Sequence, residues 1–211
     1  MSATGLSRPR IVRAALDLID RDGIDGLSMR RLGAELGVDP KAVYYYLPNK
    51  AALFDGVVEA LYAEMRLDEI GAAGWRAELT EFATRLRDVL RRHPRAVLVF
   101  ATRPGPVSAY AAGADRALAR LREAGFAPRA ALTMISCVRG LTVGLTIAEV
   151  VEPAGAGDTP VPQSLAAFPA LAAAVAGGYD ADEQFQAGLA AVLDGFAPGS
   201  FDNEETKWTS R

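Results

Sequence analysis

The chain has few of the residues that build metal centres and acid–base catalytic sites. Its 211 residues include one cysteine, Cys137, and one histidine, His93. A single cysteine forms no internal disulfide, which fits a reducing compartment, and it excludes a metal site built from cysteines alone. We expect Cys137 to be a buried small hydrophobe and His93 to lie at the surface or at a helix end. No nucleophile motif, phosphate-binding glycine loop or metal-ligand spacing occurs, so the sequence indicates neither an enzyme nor a cofactor.

Strand-like alternation of useful length is also absent, and no basic segment leads into an apolar stretch at the N-terminus. The sequence therefore predicts an all-α protein, and the missing secretion signal predicts a cytoplasmic one. Residues 130–151 are apolar enough to raise the question of a membrane span. Arg139 near the middle of this run and Glu149 near its end favour a buried helix, so we expect no association with a membrane.

Charge is distributed unevenly along the chain, although the formal net charge is only -3. Residues 1–50 contain eight lysines and arginines against six acidic residues, whereas residues 51–211 contain fifteen against twenty. If the protein binds nucleic acid, the N-terminal fifty residues are therefore the better candidate for the binding surface.

Four helices are predicted in the first 70 residues. The first has an apolar face at helical spacing, begins at Ser7 and stops at Asp22-Gly23. Ser28 and Asp39 cap two short helices that are joined around Gly37, which is the arrangement of a helix-turn-helix unit. Pro48 ends the third helix, and Asn49 caps a fourth helix expected to run to about Ile70. The first helix and the start of the fourth complete a small three-helix core around this unit.

In a helix-turn-helix the second helix lies in the major groove, and here Val43 and Leu47 turn its other side to the core. Ser28 and Lys50 lie at helix N-termini and are expected to anchor phosphates. Tyr45 is expected to face the groove most directly. Alternatives are that Tyr44 and Tyr46 brace neighbouring helices, that Lys41 is merely solvated, and that only one of Arg30 and Arg31 faces DNA. The predicted DNA-binding residues are Ser28, Arg30, Lys41, Ala42, Tyr44, Tyr45, Tyr46 and Lys50.

The rest of the chain is predicted to be helical, with a Pro- and Gly-rich loop at 153–163. Apolar residues at helical spacing suggest a pocket for a flat or lipophilic ligand, although such stripes are ordinarily protein core. The predicted ligand-binding residues are Phe82, Leu86, Phe100, Met134, Val138 and Leu141, with Thr102 and Arg103 as orienting polar groups. The long apolar helix after Pro128 and the last helix, residues 182–197, could form a four-helix interface with the same pair from a second subunit.

Residues 11–58 together resemble the TetR family of bacterial one-component repressors. The matching features are the alanine-leucine stripe of the first helix, the Gly-Leu-Ser entry, Leu-Gly-Val at the turn, the tyrosine-bearing helix and the Asn-Lys opening of the fourth helix. This resemblance implies a recognition helix at about 40–46, a homodimer on a palindromic double-stranded DNA operator, and a separate helical domain that senses a small molecule.

Three shorter motifs are similar to the C-terminal domain of the tetracycline-repressor subgroup: TRP at 102–104, EAGF at 123–126 and GLTVG at 140–144. The positions at which tetracycline repressors hold the polar groups of the drug and its magnesium ion fall near Phe82 and Val99. Both side chains are apolar, so no metal ligand is carried over from the subgroup.

The predicted organisation is a DNA-binding domain at 1–50, a ligand-binding and dimerisation domain at 51–198, and a flexible tail at 199–211. The predicted function is a ligand-responsive repressor that a small lipophilic or aromatic effector releases from its operator. The fourth helix is the expected lever, with Gly71 and Gly74 as hinge points after it. A DNA-binding architectural protein without a ligand is the alternative, and an enzyme is the more remote one.

Overall fold

A computed structural model describes residues 5–199 apart from 72, 104, 151–166, 177 and 179. The described residues form ten α-helices and no strand, which confirms the predicted all-α class. The predicted loop at 153–163 and residues 200–211 of the predicted tail lie outside the described residues. The helices are α1 (Arg8–Gly26), α2 (Met29–Leu36), α3 (Pro40–Tyr46), α4 (Lys50–Glu64), α5 (Trp75–Arg92), α6 (Val97–Thr102), α7 (Ala111–Glu123), α8 (Pro128–Val150), α9 (Pro169–Ala176) and α10 (Ala181–Asp194).

Side-chain caps start the first four helices, as the sequence predicts. Ser7, Ser28, Asp39 and Asn49 each accept a hydrogen bond from a backbone amide in the first turn, at 2.8 to 3.4 Å. These amides have no partner inside the helix, so each cap satisfies a donor that would otherwise face solvent alone. Gly37 has a φ of 67° and ends α2 in the left-handed region, which glycine adopts without strain.

Some helix boundaries differ from the predicted ones. The fourth helix ends at Glu64 rather than near Ile70, because Arg66 is left-handed at a φ of 49° and a short 3-10 helix, Leu67–Glu69, follows. Gly23, the predicted stop of the first helix, has non-helical angles, but the helical turns resume and continue to Gly26. Apolar periodicity does not reveal either detail, since both depend on the backbone angles of a single residue.

The N-terminal helices share one hydrophobic core with the helices that follow them. Leu53, Val57 and Leu61 of α4 are fully buried and belong to the same cluster as Leu86 of α5 and Phe100 of α6. A second cluster joins α5, α7, α8 and α10. Movements in the C-terminal part can therefore reach the helix-turn-helix through direct packing.

Helix α8 is the one described helix whose length and composition would allow a membrane span. One of its sides packs instead against other helices, with Met134 and Val138 fully buried, and the Thr142 and Thr146 hydroxyls donate to backbone carbonyls one turn earlier. The prediction that Cys137 is buried was wrong, because α8 is apolar on several sides but packs on only one, and Cys137 lies on the open side.

The contact between α1 and α4 generates a test. A methyl group added at Gly56 would lie 2.6 Å from Cγ2 of Val12. We expect Gly56→Ala to lower the free energy of unfolding by about 1–3 kcal/mol through overpacking, although alanine has the better helix propensity. Urea unfolding at fixed protein concentration measures this change.

The matched variants are Val12→Ala and the double substitution. Because Val12→Ala vacates the space that the new methyl group needs, the double variant is expected to be more stable than the sum of the two single effects predicts. Additive effects would show that α1 and α4 do not approach as closely as the structure indicates.

Candidate nucleic-acid interface and effector cavity

A close approach between α2 and the start of α3 holds the helix-turn-helix together. A Cβ atom on Gly33 would lie 3.0 Å from the carbonyl oxygen of Val38 and 3.2 Å from the nitrogen of Pro40. Only glycine leaves room there for the backbone, and sequence reasoning overlooked this role. Val43 and Leu47 are buried, as predicted, and they fix the side of α3 that faces the core.

The outer side of α3 carries an uncovered group of aromatic rings. Tyr44, Tyr45 and Tyr46 are 47 %, 85 % and 38 % exposed, and the last two rings pack edge to face at 5.2 Å. Lys41 is exposed beside them and Ala42 is half-buried. Three exposed rings on one short helix are unusual on a surface that contacts only water, so this side of α3 has the character of a binding surface.

The two predicted phosphate anchors, Ser28 and Lys50, lie at helix N-termini. The Ser28 side chain is the N-cap of α2, where its oxygen accepts the amide of Arg31 at 3.2 Å. Lys50 is the first residue of α4, is exposed, and has its ammonium 5.3 Å from the centre of the Phe54 ring. Free amides and the helix dipole favour an anion at both places.

The structure distinguishes the two adjacent arginines of α2. Arg31 bonds Asp22 at 2.6 Å and the carbonyl of Gly26 at 2.9 Å, so it joins α2 to the end of α1. Arg30 is exposed, and no acidic side chain among the described residues pairs with it. Arg30 is therefore the one whose charge is available to a ligand.

A cavity of about 300 Å³ lies between α4, α5, α7 and α8. Its walls are largely apolar, and the polar side chains that reach it are Glu78, Arg116, Ser136 and Arg139. Its size is at the lower end of the range of small-molecule sites. The apolar and aromatic lining residues are Tyr62, Leu67, Ile70, Leu79, Phe82, Tyr110, Ala114, Ala117, Leu118, Leu132 and Ile135.

Of the eight residues predicted to bind a ligand, the structure brings only Phe82 to this cavity. Four others, Leu86, Phe100, Met134 and Val138, are fully buried in the two hydrophobic clusters. A regular apolar stripe marks the side of a helix that is packed, whereas a cavity is lined by the residues beside that stripe. These four side chains are therefore ordinary protein core, which is the alternative that the sequence left open.

The other three predicted ligand residues have partners of their own away from the cavity. The Thr102 hydroxyl donates to the carbonyl of Leu98 at 2.7 Å. Arg103 pairs with Asp55 at 2.7 Å and so ties the end of α6 to α4. Leu141 packs in the second cluster, 3.5 Å from the position that a methyl group on Gly188 would occupy.

The charged residues of the cavity form two separate groups. Glu78 is only 3 % exposed, with Oε1 at 3.3 Å from Nε of Arg116 and Oε2 at 2.8 Å from Nε of Arg120. The second contact is an ion pair without hydrogen-bond geometry, since Oε2 has no hydrogen-bond partner among the described residues.

Arg139 forms the second group. It donates to the carbonyl of Phe100 at 3.3 Å and lies over the Phe100 ring. Sequence reasoning missed Glu78 and Arg116, although a charged residue beside Leu79 in an apolar stripe was an available signal.

A polar contact joins α1, α4 and α5 behind the helix-turn-helix. His93 caps the C-terminal end of α5, as expected of a helix-end residue, but its side chain is only 12 % exposed. Its Nδ1 lies 2.7 Å from Asp20 and its Nε2 lies 3.0 Å from Glu64. Arg13 bonds the same Glu64 at 2.9 Å. Burial alone would raise the pKa of Glu64, but hydrogen bonds from His93 and Arg13 hold it below its usual value of 4.5.

This contact predicts a pH-dependent contribution to stability. Because the pKa of Glu64 is lower in the folded state, its ionised form stabilises the fold above about pH 4.5, and this contribution is lost as the pH falls through the lowered pKa. We expect the difference in unfolding free energy between the wild type and Glu64→Gln to shrink on acidification. Urea unfolding across this pH range measures it.

The exposed Glu123 in α7 provides the control, because Glu123→Gln should leave the pH profile unchanged. A difference for Glu64→Gln that stayed constant through the acidic range would contradict the ionised contact.

Family models match both parts of the chain. Residues 11–57 match the model of bacterial regulatory proteins of the tetR family, and residues 69–198 match the tetracyclin repressor-like C-terminal domain. The chain is 34 % identical over 200 residues to the tetracycline repressor protein class A from transposon 1721 of Escherichia coli, which covers 92 % of each protein.

Solved structures show the same fold. A possible TetR family transcriptional regulator from Streptomyces coelicolor A3(2) has 32 % sequence identity and a TM-score of 0.76, and the match covers 90 % of this chain and 98 % of that one. A TetR variant from Acinetobacter baumannii AYE, in complex with minocycline, has 25 % identity and a TM-score of 0.71, with 90 % and 96 % covered.

Proposed function

Since this chain belongs to the TetR family of ligand-responsive DNA-binding transcriptional repressors, we propose that it binds a palindromic operator as a homodimer and that a small effector in the cavity releases it. The family consists of transcriptional regulators, which are not enzymes. A regulator of this kind works on DNA in the cytoplasm.

The observation that carries the proposal is that one helix connects both sites. Helix α4 begins at Lys50, four residues after the end of α3 at Tyr46, and its Tyr62 forms part of the cavity wall. Leu53, Val57 and Leu61 of the same helix are fully buried between these ends. A ligand that displaces Tyr62 would therefore shift a rigid element that supports α3, the proposed reading helix.

In the proposed dimer, this shift changes the distance between the two reading helices. A ligand that prefers the mismatched spacing weakens DNA binding by the same coupling free energy with which DNA weakens ligand binding. The lever is α4 from Lys50 to Glu64, which is shorter than the sequence predicts, and Arg66, Gly71 and Gly74 lie in the turns beyond it.

The reading surface we propose consists of Arg30, Lys41 and the outer tyrosines of α3, with Ser28 and Lys50 on the flanking phosphates. Tyrosine rings can pack against sugars and thymine methyl groups while their hydroxyls bond phosphates. Ala42 lies between these side chains and is small enough to let the backbone of α3 approach a base pair.

The effector we propose is a lipophilic or aromatic molecule. Two observations support this class of effector. The cavity is largely apolar, and two similar proteins are a tetracycline repressor and a TetR variant in complex with minocycline. We do not propose magnesium-bound tetracycline as the effector of this protein, because Phe82 is an apolar residue of the cavity wall and Val99 is an apolar, buried residue.

The alternative that the sequence left open, a DNA-binding architectural protein without an effector, does not fit a member of a family of ligand-responsive repressors. We propose that residues 1–50 bind DNA and that residues 51–198 bind the effector and form the dimer. A single hydrophobic cluster contains residues from both segments. A compound that lowers affinity for the operator would decide in favour of the regulator.

Two lysine variants test the DNA surface on an operator selected from random sequences. Lys41→Ala is expected to lower affinity for the operator more than affinity for random DNA, because Lys41 lies among the reading residues. Lys50→Ala is expected to weaken both and to lower the slope of affinity against salt by about 1, because it removes one phosphate contact. Fluorescence anisotropy at several salt concentrations measures these effects.

The matched control is Arg129→Ala, which removes an exposed positive charge from the first turn of α8. It should leave DNA binding unchanged. Normal operator binding by both lysine variants would overturn the proposed reading surface, and a selection that enriched no sequence would overturn the proposed operator.

A further inference from the structure

We propose that the effector carries an acidic group, a carboxylate or another anionic oxygen acid, which binds Arg139. Its planar ring system would lie against the aromatic side chains of the cavity, Tyr62, Phe82 and Tyr110. This inference rests on the proposed function, since it names the class of ligand for the same cavity. It is carried by a positive charge that the described residues of the protein leave without a counter-ion.

Arg139 reaches the cavity wall from the middle of the apolar helix α8. Among the described residues it donates one hydrogen bond, of 3.3 Å, to the carbonyl of Phe100, and its guanidinium lies 5.1 Å from the centre of the Phe100 ring. No acidic side chain among the described residues forms an ion pair with it. A guanidinium has five N–H groups, so most of its donors remain available to a ligand.

The carboxylate that the described residues place in the cavity wall does not neutralise this charge. Glu78 is buried and already lies against two arginines, Arg116 and Arg120. Among the described residues, the charged side chains that line the cavity are Glu78, Arg116 and Arg139, and their charges sum to a net positive one. The other arginine of the lining, Arg116, also donates to the carbonyl of Leu67, so Arg139 is the freer of the two.

Neighbouring groups complete a site for a planar acid. Ser136 lies one turn before Arg139 on the same side of α8, and both line the cavity, so its hydroxyl can donate to the same anion. The rings of Tyr62 and Tyr110, which are 5.4 Å apart at a tilt of 38°, also line the cavity, as does Phe82. Stacked and edge contacts with these rings favour a flat aromatic body.

The physical consequence is selectivity for charge. An anion on Arg139 forms charge-assisted hydrogen bonds inside a largely apolar cavity, where such bonds are strong. A neutral ligand of the same shape would fill the cavity but leave the guanidinium without a counter-ion and with less water around it. The site therefore discriminates against uncharged analogues as well as favouring acids.

A pair of fluorescent probes tests this inference, because they share a ring system and differ in one acidic group. They are anilinonaphthalene sulfonate and its uncharged parent, phenylnaphthylamine. We expect the wild type to bind the sulfonate more tightly than the uncharged probe. Arg139→Gln is expected to weaken the sulfonate about tenfold or more, while the uncharged probe binds as tightly as before or more tightly, because no guanidinium is left unpaired. Fluorescence titration of the full-length protein measures both affinities.

Two further variants locate the effect. Arg129→Gln removes a charge from the exposed first turn of the same helix and should change neither affinity. Ala117→Trp fills the cavity from α7 and should weaken both probes. Circular dichroism of each variant establishes that it is folded.

The outcomes separate this inference from the proposed function. If the uncharged probe binds in the cavity but the sulfonate gains nothing from Arg139, the acidic effector is overturned and the repressor with an apolar effector stands. If Ala117→Trp leaves sulfonate binding unchanged, the anion binds elsewhere and the inference also fails. If neither probe binds the wild type, the cavity does not accept a ring system of this kind, which contradicts both proposals.

Discussion

The packing of α4 against α1 is the constraint on which the rest of this structure depends. Gly56 has no side chain, and Val12 occupies the space that a Cβ atom would take, so the two helices meet closely. Leu53, Val57 and Leu61 are fully buried along the same helix. Because this contact leaves α4 little freedom to slide on α1, the reading helix and the cavity wall are held by one stiff element.

Polar contacts complement this packing at places where the two parts of the chain meet. His93 lies between Asp20 of α1 and Glu64 of α4, and Arg103 joins the end of α6 to Asp55. These contacts are directional, whereas apolar packing is not. They therefore favour one arrangement of the helix-turn-helix relative to the following helices, which is what a two-state regulator requires of each of its states.

The chemistry of the cavity differs from that of the surrounding core. The buried Glu78 lies against two partly exposed arginines, and the half-buried Arg139 has no acidic partner among the described residues. Burying charges in this way is costly, so it contributes little to stability compared with apolar residues. Their position beside aromatic rings is the basis of the proposed recognition of an acidic ligand.

The sequence by itself determined the class of fold, the caps of the first four helices and the outward tyrosines of α3, because these depend on local backbone preferences and on a period of 3.6 residues. Only the tertiary structure decided where the cavity lies. A stripe of apolar residues identifies the packed side of a helix, and so Leu86, Met134 and Val138 were expected at a ligand but are core. The residues that line the cavity are set by the distances between the four helices around it. Side chains that are distant in the sequence, Tyr62 and Arg139 among them, reach the same cavity only when those helices pack together.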